Sequence, residues 1–102
     1  MYILRVEHQA PNFEDWKKAF DSDPINREKS GVRRHQVTRQ VDNPNYVTID
    51  LEFDTVDEAK STRDALQDVW KRLGGSIMQN PQVRISEVAE TKEYQPAAQL
   101  VR

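Results

Sequence analysis

The segment Tyr46–Phe53 constrains the fold more than any other part of the chain, because its apolar and polar residues alternate strictly. A period of two is typical of a β-strand that buries one face and exposes the other. Directly after this segment, Thr55 and Glu58 have the spacing of a helix capping box. The centre of the chain is therefore predicted to be a strand followed at once by a helix.

The helix that begins after Thr55 is predicted to be long and to bury one side. Apolar residues recur along it at helical spacing, which indicates an amphipathic helix. The predicted inward residues are Val56, Ala59, Leu66, Trp70 and Leu73. We expect Gly74 and Gly75 to end this helix.

A second strand and helix are predicted at the start of the chain. Residues Tyr2–His8 alternate between apolar and polar side chains, and Asn12 is a favourable N-cap for the segment that follows. This helix is expected to end at about Phe20 or Ser22. The pair Asp23-Pro24 interrupts it, because the residue before a proline is disfavoured in a helix.

Two further strands complete the predicted fold. They are Val32–Val41 and Gln82–Ala89, and Asp42–Asn45 has the composition of a tight turn. The element order is then β-α-β-β-α-β, the ferredoxin-like α+β arrangement of a four-stranded antiparallel sheet with two helices on one face. Right-handed crossovers place strand one between strands three and four, with strand two outermost. Residues 1–94 are predicted to form this domain, and residues 95–102 a C-terminal tail.

The composition narrows the class of protein. A single domain with a thin core fits 102 residues of which 36% are hydrophobic and 31% are charged. A formal net charge of −2 without a basic run argues against binding to nucleic acid. The absence of cysteine excludes disulfides and thiolate chemistry. Because the sequence shows neither a signal peptide nor an apolar membrane span, we predict a cytoplasmic protein that does not act at a membrane.

The alternation in the strands separates two faces of the predicted sheet. The face that the helices should cover carries Leu4, Val6, Val37, Val47, Ile49, Leu51, Val83 and Ile85. The opposite face carries Arg5, Glu7, Arg34, Gln36, Thr38, Thr48, Asp50, Glu52, Arg84 and Ser86. This polar face could contact water, as in many antiparallel sheets, or pair with a second copy through its arginines and carboxylates. The residues alone leave both alternatives open.

The span from Met1 to about Tyr94 resembles the dimeric α+β barrel superfamily, which includes antibiotic-biosynthesis-type monooxygenases and small cyclase-like proteins. Besides the element order, the residues that carry the resemblance are His8, Pro11-Asn12-Phe13, Trp16, Phe20, Asp23-Pro24, Arg27, Gly31 and Val47–Phe53. The resemblance implies a homodimer whose two sheets form a barrel. It also implies a pocket between the sheet and the helices of each subunit.

The resemblance does not extend to every member of the superfamily. Haem-degrading members resemble this chain in having a tryptophan on the second helix, which Trp70 could match. They also require a histidine after that helix, and residues 74–81 contain none. We therefore expect no haem chemistry, and we predict no cofactor.

His8 is the strongest candidate for a functional side chain. The alternation places it on the helix-covered face, where the first strand ends. A neutral imidazole at this point could act as a general base or form a hydrogen bond to a substrate oxygen near pH 7. The alternative is a partly buried histidine whose nitrogens are satisfied by the backbone or by water.

His35 is predicted on the same face, near the start of the second strand and at the same end of the sheet as His8. It is interpreted either as a residue of the pocket rim or as an ordinary edge-strand residue. With one strand between them, the two histidines should be roughly 10 Å apart, at ~4.8 Å per strand step. That separation is too large for one metal ion, and the sequence contains no metal-binding spacing such as H-x-x-x-H. We predict no metal site.

Aromatic and basic residues supply the remaining candidates for a substrate-binding site. The aromatic candidates for a pocket wall are Trp16, Phe20, Phe53 and Trp70, with plain core packing as the alternative. Arg27 or Arg63 could bind a carboxylate or enolate oxygen through the planar guanidinium group. The alternative for each arginine is a buried stem with a solvated head.

Three functions remain open on the sequence. The first is a cofactor-independent enzyme, either a monooxygenase or a cyclase or isomerase, that acts on a small aromatic or polyketide-like molecule with His8 as the acid or base. The second is a non-catalytic small-molecule-binding or stress-related homodimeric module that uses the same pocket. The third is an interaction protein whose polar sheet face is the working surface.

Overall fold

The computed structural model describes residues 1–73 and 77–99. Its elements are β1 (Tyr2–Gln9), α1 (Phe13–Asp21), β2 (Arg34–Gln40), β3 (Asn43–Phe53), α2 (Val56–Leu73), β4 (Gln79–Glu87) and a 3-10 turn (Ala97–Gln99). The β-α-β-β-α-β order is the predicted one, and the ferredoxin-like α+β fold is confirmed. Gly74 and Gly75, the predicted end of the second helix, and the last three residues of the predicted tail lie outside the described residues.

The four strands form one antiparallel sheet in the order β2-β3-β1-β4. In the middle of this sheet, Leu4 of β1 lies opposite Leu51 of β3 on one side and Ile85 of β4 on the other. In-register apolar residues on three adjacent strands give a continuous apolar surface, because side chains directly opposite each other are in contact range. The predicted strand order is confirmed.

The hydrophobic core lies between this apolar surface and the two helices. Its buried members are Leu4, Val6, Ala10, Trp16, Val47, Ile49, Leu51, Phe53, Ala59 and Met78. All four apolar residues of the Tyr46–Phe53 alternation are among them, as the period of two predicted. The strand that was clearest in the sequence therefore forms the floor of the core.

Both helices begin at the predicted caps. The Asn12 side chain accepts a hydrogen bond from the backbone N–H of Asp15 at 3.1 Å. The Thr55 hydroxyl accepts one from the backbone N–H of Glu58 at 3.2 Å. These bonds satisfy donors that have no partner within the first turn of a helix, so each cap fixes where its helix starts.

The inward side of α2 follows the predicted stripe with one addition. Ala59 is fully buried and Leu66 and Trp70 are half-buried, whereas Leu73 is exposed at the end of the helix. Thr62, which the apolar stripe did not include, is 2% exposed and faces the interior. A threonine can occupy such a position because its methyl group packs like an apolar side chain.

The hairpin between β2 and β3 differs from the prediction. Asp42–Asn45 was expected to be the turn, but the turn is at Val41 and Asp42, and Asn43 already pairs with Gln40. The register then shifts, so that Pro44 and the next two residues have no partner in β2. A proline is tolerated at such an irregularity because it has no N–H to contribute to the ladder.

The polar face of the sheet carries ion pairs between neighbouring strands. Two hydrogen bonds of 2.7 Å join the Arg5 guanidinium to the Asp50 carboxylate. Arg34 pairs with Glu52, and Arg84 pairs with Glu7 at 3.0 Å. The arginines and carboxylates of this face therefore pair within one chain.

None of the described helices combines the length and the apolar character needed to cross a membrane.

Candidate functional site

An apolar cavity lies between the sheet and the two helices. Its volume is about 70 Å³, which is room for several water molecules, since one water needs roughly 10–15 Å³. Its walls come from β1, α1, β3, α2 and the connecting segment 24–27. Among the described lining residues, His8 and Arg27 are the two that can carry a charge. The cavity is therefore suited to an apolar ligand that has few polar groups.

His8 lies at an irregularity in the sheet. Glu7 pairs with Gln82 of β4, but Gln9 pairs with Gln79, so β4 has extra residues opposite His8. One of these residues is Asn80, whose φ of 50° is in the left-handed region that asparagine adopts more readily than most residues. Bulges of this kind turn a side chain away from its regular direction and are frequent beside functional sites.

The hydrogen bonds of His8 define its tautomer. The side chain is 1% exposed, and its Nδ1 is 3.1 Å from the Gln9 carbonyl oxygen. Because a carbonyl oxygen can only accept, Nδ1 carries the proton and donates it. The other ring nitrogen, Nε2, is buried and has no hydrogen-bond partner among residues 1–73 and 77–99. Nε2 therefore carries no proton, and its lone pair is free in an apolar surrounding.

Burial lowers the pKa of His8 below its ordinary value of 6.5, and the hydrogen bond to Gln9 opposes this effect only in part. Loss of solvation disfavours the charged imidazolium, because an apolar surrounding cannot replace the water around it. His8 is therefore neutral at pH 7. Its Nε2 is available to accept a hydrogen bond or a proton from a ligand.

A row of aromatic rings in contact runs from His8 along α1. The His8 and Trp16 ring centroids are 5.3 Å apart, and Trp16 stacks on Phe20 at 5.1 Å. Both α1 residues line the cavity, and Trp70 of α2 also lines it. Three of the four predicted aromatic wall residues therefore lie on the same cavity as His8. Trp16 is buried in the core as well, so core packing and the pocket wall share this side chain.

Arg27 lies at the cavity wall opposite the sheet, in the segment after α1. Its guanidinium carbon is 3.9 Å from the centre of the Phe20 ring, and its Nη1 donates to the Phe20 carbonyl oxygen at 2.9 Å. A cation over an aromatic face is attracted by the negative charge density of the ring. These two contacts fix the guanidinium group beside the cavity.

Three of the predicted substrate-binding residues are not among the residues that line this cavity: Phe53, Arg63 and His35. Phe53 is fully buried in the core at the far end of β3. Arg63 lies on α2, with its Nε 3.1 Å from the neighbouring Asp64 carboxylate.

His35 is farther from His8 than the sequence predicted. The prediction placed both at the same end of the sheet. It is wrong, because β1 and β2 both run antiparallel to β3, so the end of β1 and the start of β2 lie at opposite ends. His8 lies opposite Val47 and His35 lies opposite Leu51, four positions along β3, or about 14 Å along the strands at ~3.4 Å per residue. His35 is exposed and contacts the edge of Phe20, with ring centroids 5.2 Å apart.

The cavity is also lined by apolar residues that were not predicted from the sequence as parts of a pocket. They are Ala19, Pro24, Ile25, Leu66, Val69, Leu73, Ile77 and Met78, besides the floor residues of the sheet. Leu66 and Leu73 were predicted as inward residues of α2 but not as parts of a pocket. Met78 is 6% exposed although it lies between α2 and β4, outside any periodic segment. An apolar pair directly before a strand was the available signal for Ile77 and Met78.

No group of three or more histidine, cysteine, aspartate or glutamate side chains that could hold a metal ion occurs in the described part of the chain.

No protein-family model matches this sequence, and no curated protein matches it either. Solved structures do match. A variant of MhuD that holds two manganese protoporphyrin IX molecules per active site is 12% identical with a TM-score of 0.70, over 92% of this chain and all of that chain. SnoaB of Streptomyces nogalater, a cofactor-independent oxygenase, is 13% identical with a TM-score of 0.69, over 88% of this chain and 94% of that chain.

A third match is a dimeric ferredoxin-like protein from an uncultured marine organism, 9% identical with a TM-score of 0.69, over 92% of each chain. Proteins provisionally assigned as antibiotic biosynthesis monooxygenases are also among the matches. At such identities the likeness shows a shared fold and no shared activity. The chain shares the ferredoxin-like fold of these proteins.

Proposed function

We propose that this chain is the subunit of a homodimer that binds a small, flat, mainly apolar molecule with a hydroxyl group in the cavity beside His8. In this proposal His8 accepts the hydroxyl proton, and the protein is a cofactor-independent oxygenase or a cyclase or isomerase. The observation that carries the proposal is the unprotonated Nε2 of His8, which is buried on an apolar cavity and has no hydrogen-bond partner among the described residues.

The proposed chemistry begins with a proton transfer. The ligand O–H donates to Nε2, and the proton then moves to that nitrogen while Nδ1–H keeps its bond to the Gln9 carbonyl. The imidazole becomes an imidazolium, and the ligand becomes an electron-rich oxyanion. Such an oxyanion is the reactive form of an aromatic alcohol both toward dioxygen and in isomerisation by proton transfer. An aliphatic or fully blocked molecule could not take this first step.

The surroundings support a flat ligand. The cavity is walled by the rings of Trp16, Phe20 and Trp70, and aromatic faces pack favourably against planar molecules. The lowered pKa of His8 keeps the base unprotonated at neutral pH. The likeness in fold to SnoaB, a cofactor-independent oxygenase, is consistent with a reaction that needs no resident cofactor.

A matched pair of probes tests the role of His8. 2-Naphthol has the hydroxyl donor, and 2-methoxynaphthalene has the same rings without it. Because a buried acceptor left without a donor is costly, we expect 2-naphthol to bind about tenfold more tightly than its ether, from a hydrogen bond of roughly 1–2 kcal/mol. The only two tryptophans of the chain, Trp16 and Trp70, both line the cavity, so their fluorescence reports binding directly.

The variant His8→Leu should remove this preference, because leucine fills similar space without an acceptor. His35→Leu is the control, since His35 is the other histidine of the chain and does not line the cavity. Equal binding of the two probes to the wild-type protein, or a preference that persists in His8→Leu, would contradict the assignment.

A non-catalytic binding module is the second candidate, and one observation favours it. His8 is oriented by a backbone carbonyl rather than by a carboxylate that would strengthen it as a base. Dioxygen uptake and product formation, measured with 2-naphthol and more highly hydroxylated naphthalenes, distinguish the candidates. An enzyme should lose turnover in His8→Ala and keep ligand affinity within a few fold, whereas a binding module has no turnover to lose.

The homodimer in this proposal uses the polar face of the sheet. The likeness to a dimeric ferredoxin-like protein supports it. Asp50→Arg combined with Glu52→Arg should convert the dimer to a monomer, as measured by light scattering. Asp57→Arg combined with Asp68→Arg on α2 is the charge-matched control. A wild-type monomer, or an unchanged dimer in the first variant, would refute this arrangement.

A further inference from the structure

Arg27 belongs to two adjoining depressions of the surface. It lines the apolar cavity, and it also lines an open cleft that includes Asp23, Glu28, Arg34 and His35. Arg27 is therefore shared by an apolar cavity and a more polar, open cleft. A ligand that fills the cavity would present its outer end at this side chain.

The guanidinium group has free hydrogen-bonding capacity. Within the described parts of the chain, Nη1 is the one guanidinium nitrogen with a hydrogen-bond acceptor, the Phe20 carbonyl oxygen at 2.9 Å. The side chain of Asp23 is 3.6 Å from Nη1, which is an ion pair but too long for a direct hydrogen bond. The Arg27 side chain is 16% exposed, so most of it lies within the protein.

The cavity itself holds no opposite charge for Arg27. Apart from His8, the described residues that line the cavity with Arg27 cannot carry a charge. The nearby His35 has a lowered pKa, with burial as the main cause and the positive charges of Arg27 and Lys17 as the next two. Asp21 and Asp23 oppose this effect without reversing it.

We propose that the cavity ligand carries a carboxylate, or a comparable oxyanion, which Arg27 binds at the rim while the hydroxyl group binds at His8. The ligand class is then an aromatic hydroxy acid with its two polar groups at opposite ends, rather than a neutral phenol. This inference rests on the proposed function, because it concerns the outer end of the same ligand. A planar guanidinium holds a carboxylate through two parallel hydrogen bonds, so Arg27 fixes the direction in which the ligand enters.

Side chains in contact connect the proposed base with the cation. The path from the base to the cation runs along side chains in contact, from His8 to Trp16 at 5.3 Å, to Phe20 at 5.1 Å and to the Arg27 guanidinium at 3.9 Å. A ligand lying against these rings has a proton acceptor at its inner end and a cation at its outer end. Its rings need no polar partner between those points.

The experiment compares 2-naphthol with 6-hydroxy-2-naphthoic acid, which adds a carboxylate at the far end of the same rings. Binding is measured by calorimetry on the full chain. We expect the acid to bind at least about tenfold more tightly than 2-naphthol. Arg27→Met should abolish that preference and leave the affinity for 2-naphthol within about twofold. Arg63→Met is the matched control, since Arg63 is an arginine that does not line the cavity.

A second variant tests the inference in the opposite direction. Asp23→Asn removes the carboxylate that competes for Arg27 and keeps the oxygen that accepts from the Arg27 backbone N–H at 2.9 Å. It should tighten binding of the acid severalfold and leave 2-naphthol unchanged. This variant keeps the inference testable if Arg27→Met does not fold, as judged by circular dichroism.

The outcomes separate the two proposals. If wild-type protein binds both probes equally, or if Arg27→Met retains the preference for the acid, the anion subsite is overturned and the cavity proposal stands. If an Asp23→Asn protein binds the acid no better than the wild type does, the anion subsite is likewise contradicted. If neither probe binds to the wild-type protein, the proposed function fails, and this inference fails with it.

Discussion

The two faces of the four-stranded sheet differ in their exposure to water and in how their polar groups are paired. On the helix-covered face, Leu4, Val47 and Phe53 have no exposed surface, and a single imidazole is buried among such residues. On the opposite face, Arg5 is 41% exposed at its side chain and pairs with Asp50. One face excludes water and contains a polar atom without a partner, whereas the other admits water and pairs its charges.

This difference shows where chemistry can arise in so small a domain. A charge pair in contact with water contributes little, because solvent screens it and competes for its hydrogen bonds. A polar atom in a dry site keeps its full hydrogen-bonding capacity for whatever enters. The stability of the chain and its proposed binding site therefore both come from the covered face, while the open face determines what the chain can assemble with.

Truncating a side chain on the covered face should have the largest effect on the free energy of unfolding. Phe53→Ala removes a fully buried ring and should lower the free energy of unfolding by about 3–5 kcal/mol. Thr48→Ala, on the opposite face of the same strand, should cost about 1 kcal/mol or less. Urea unfolding of the two variants measures both values. Similar losses would mean that the two faces contribute equally, and the contrast between them would be wrong.

Protonation of His8 should destabilise the covered face by a smaller amount. Its pKa is lowered in the native state, so between pH 6.5 and that lowered pKa the unfolded chain binds a proton that the native chain does not. The free energy of unfolding should therefore be at its full value above pH 6.5. It should fall as the pH drops, by at most about 1.4 kcal/mol per pH unit for this one group.

Urea unfolding at several pH values checks this slope. His8→Leu should flatten it, whereas His35→Leu should flatten it less, because His35 is exposed and its pKa is lowered by a weaker burial effect and by neighbouring charges. A slope that is the same in wild-type protein and in His8→Leu would show that His8 takes up its proton equally in both states.

Removing an ion pair from the open face should have the smallest effect on the free energy of unfolding. A double-mutant cycle on Arg5→Ala and Asp50→Ala should yield a coupling energy of about 1 kcal/mol or less, because the pair is part-exposed and surface ion pairs contribute little. The cycle is measured at a protein concentration low enough for light scattering to show a monomer, because the proposed dimer would bury the pair. A coupling energy well above that value in the monomer would mean that the pair is not screened like a surface ion pair.

Much of the fold followed from local patterns. The period of two in Tyr46–Phe53 and the caps at Asn12 and Thr55 specified elements that form as predicted. These signals are local, since a cap involves atoms within one turn and an alternation is visible in consecutive residues. The hairpin at Val41 was misplaced because a proline normally marks a turn, and the bulge that accommodates Pro44 depends on the partner strand.

The site was predictable only in part. The period of β1 placed His8 on the covered face, and helical spacing placed Trp16 and Phe20 on one side of α1. The bulge opposite His8 needed the pairing of β1 with β4, which are far apart in the sequence. The same was true of the distance between His8 and His35, which depends on the register of three strands.

The sequence by itself determined the elements, their order and the chemical character of each face, because these depend on neighbouring residues and on the two periods of regular structure. The tertiary structure alone decided that Nε2 of His8 has no hydrogen-bond partner among the described residues, and that Arg27 lines the same cavity. The walls of a cavity are formed by residues distant in the chain, so only their packing in three dimensions specifies which polar atoms are buried without a partner.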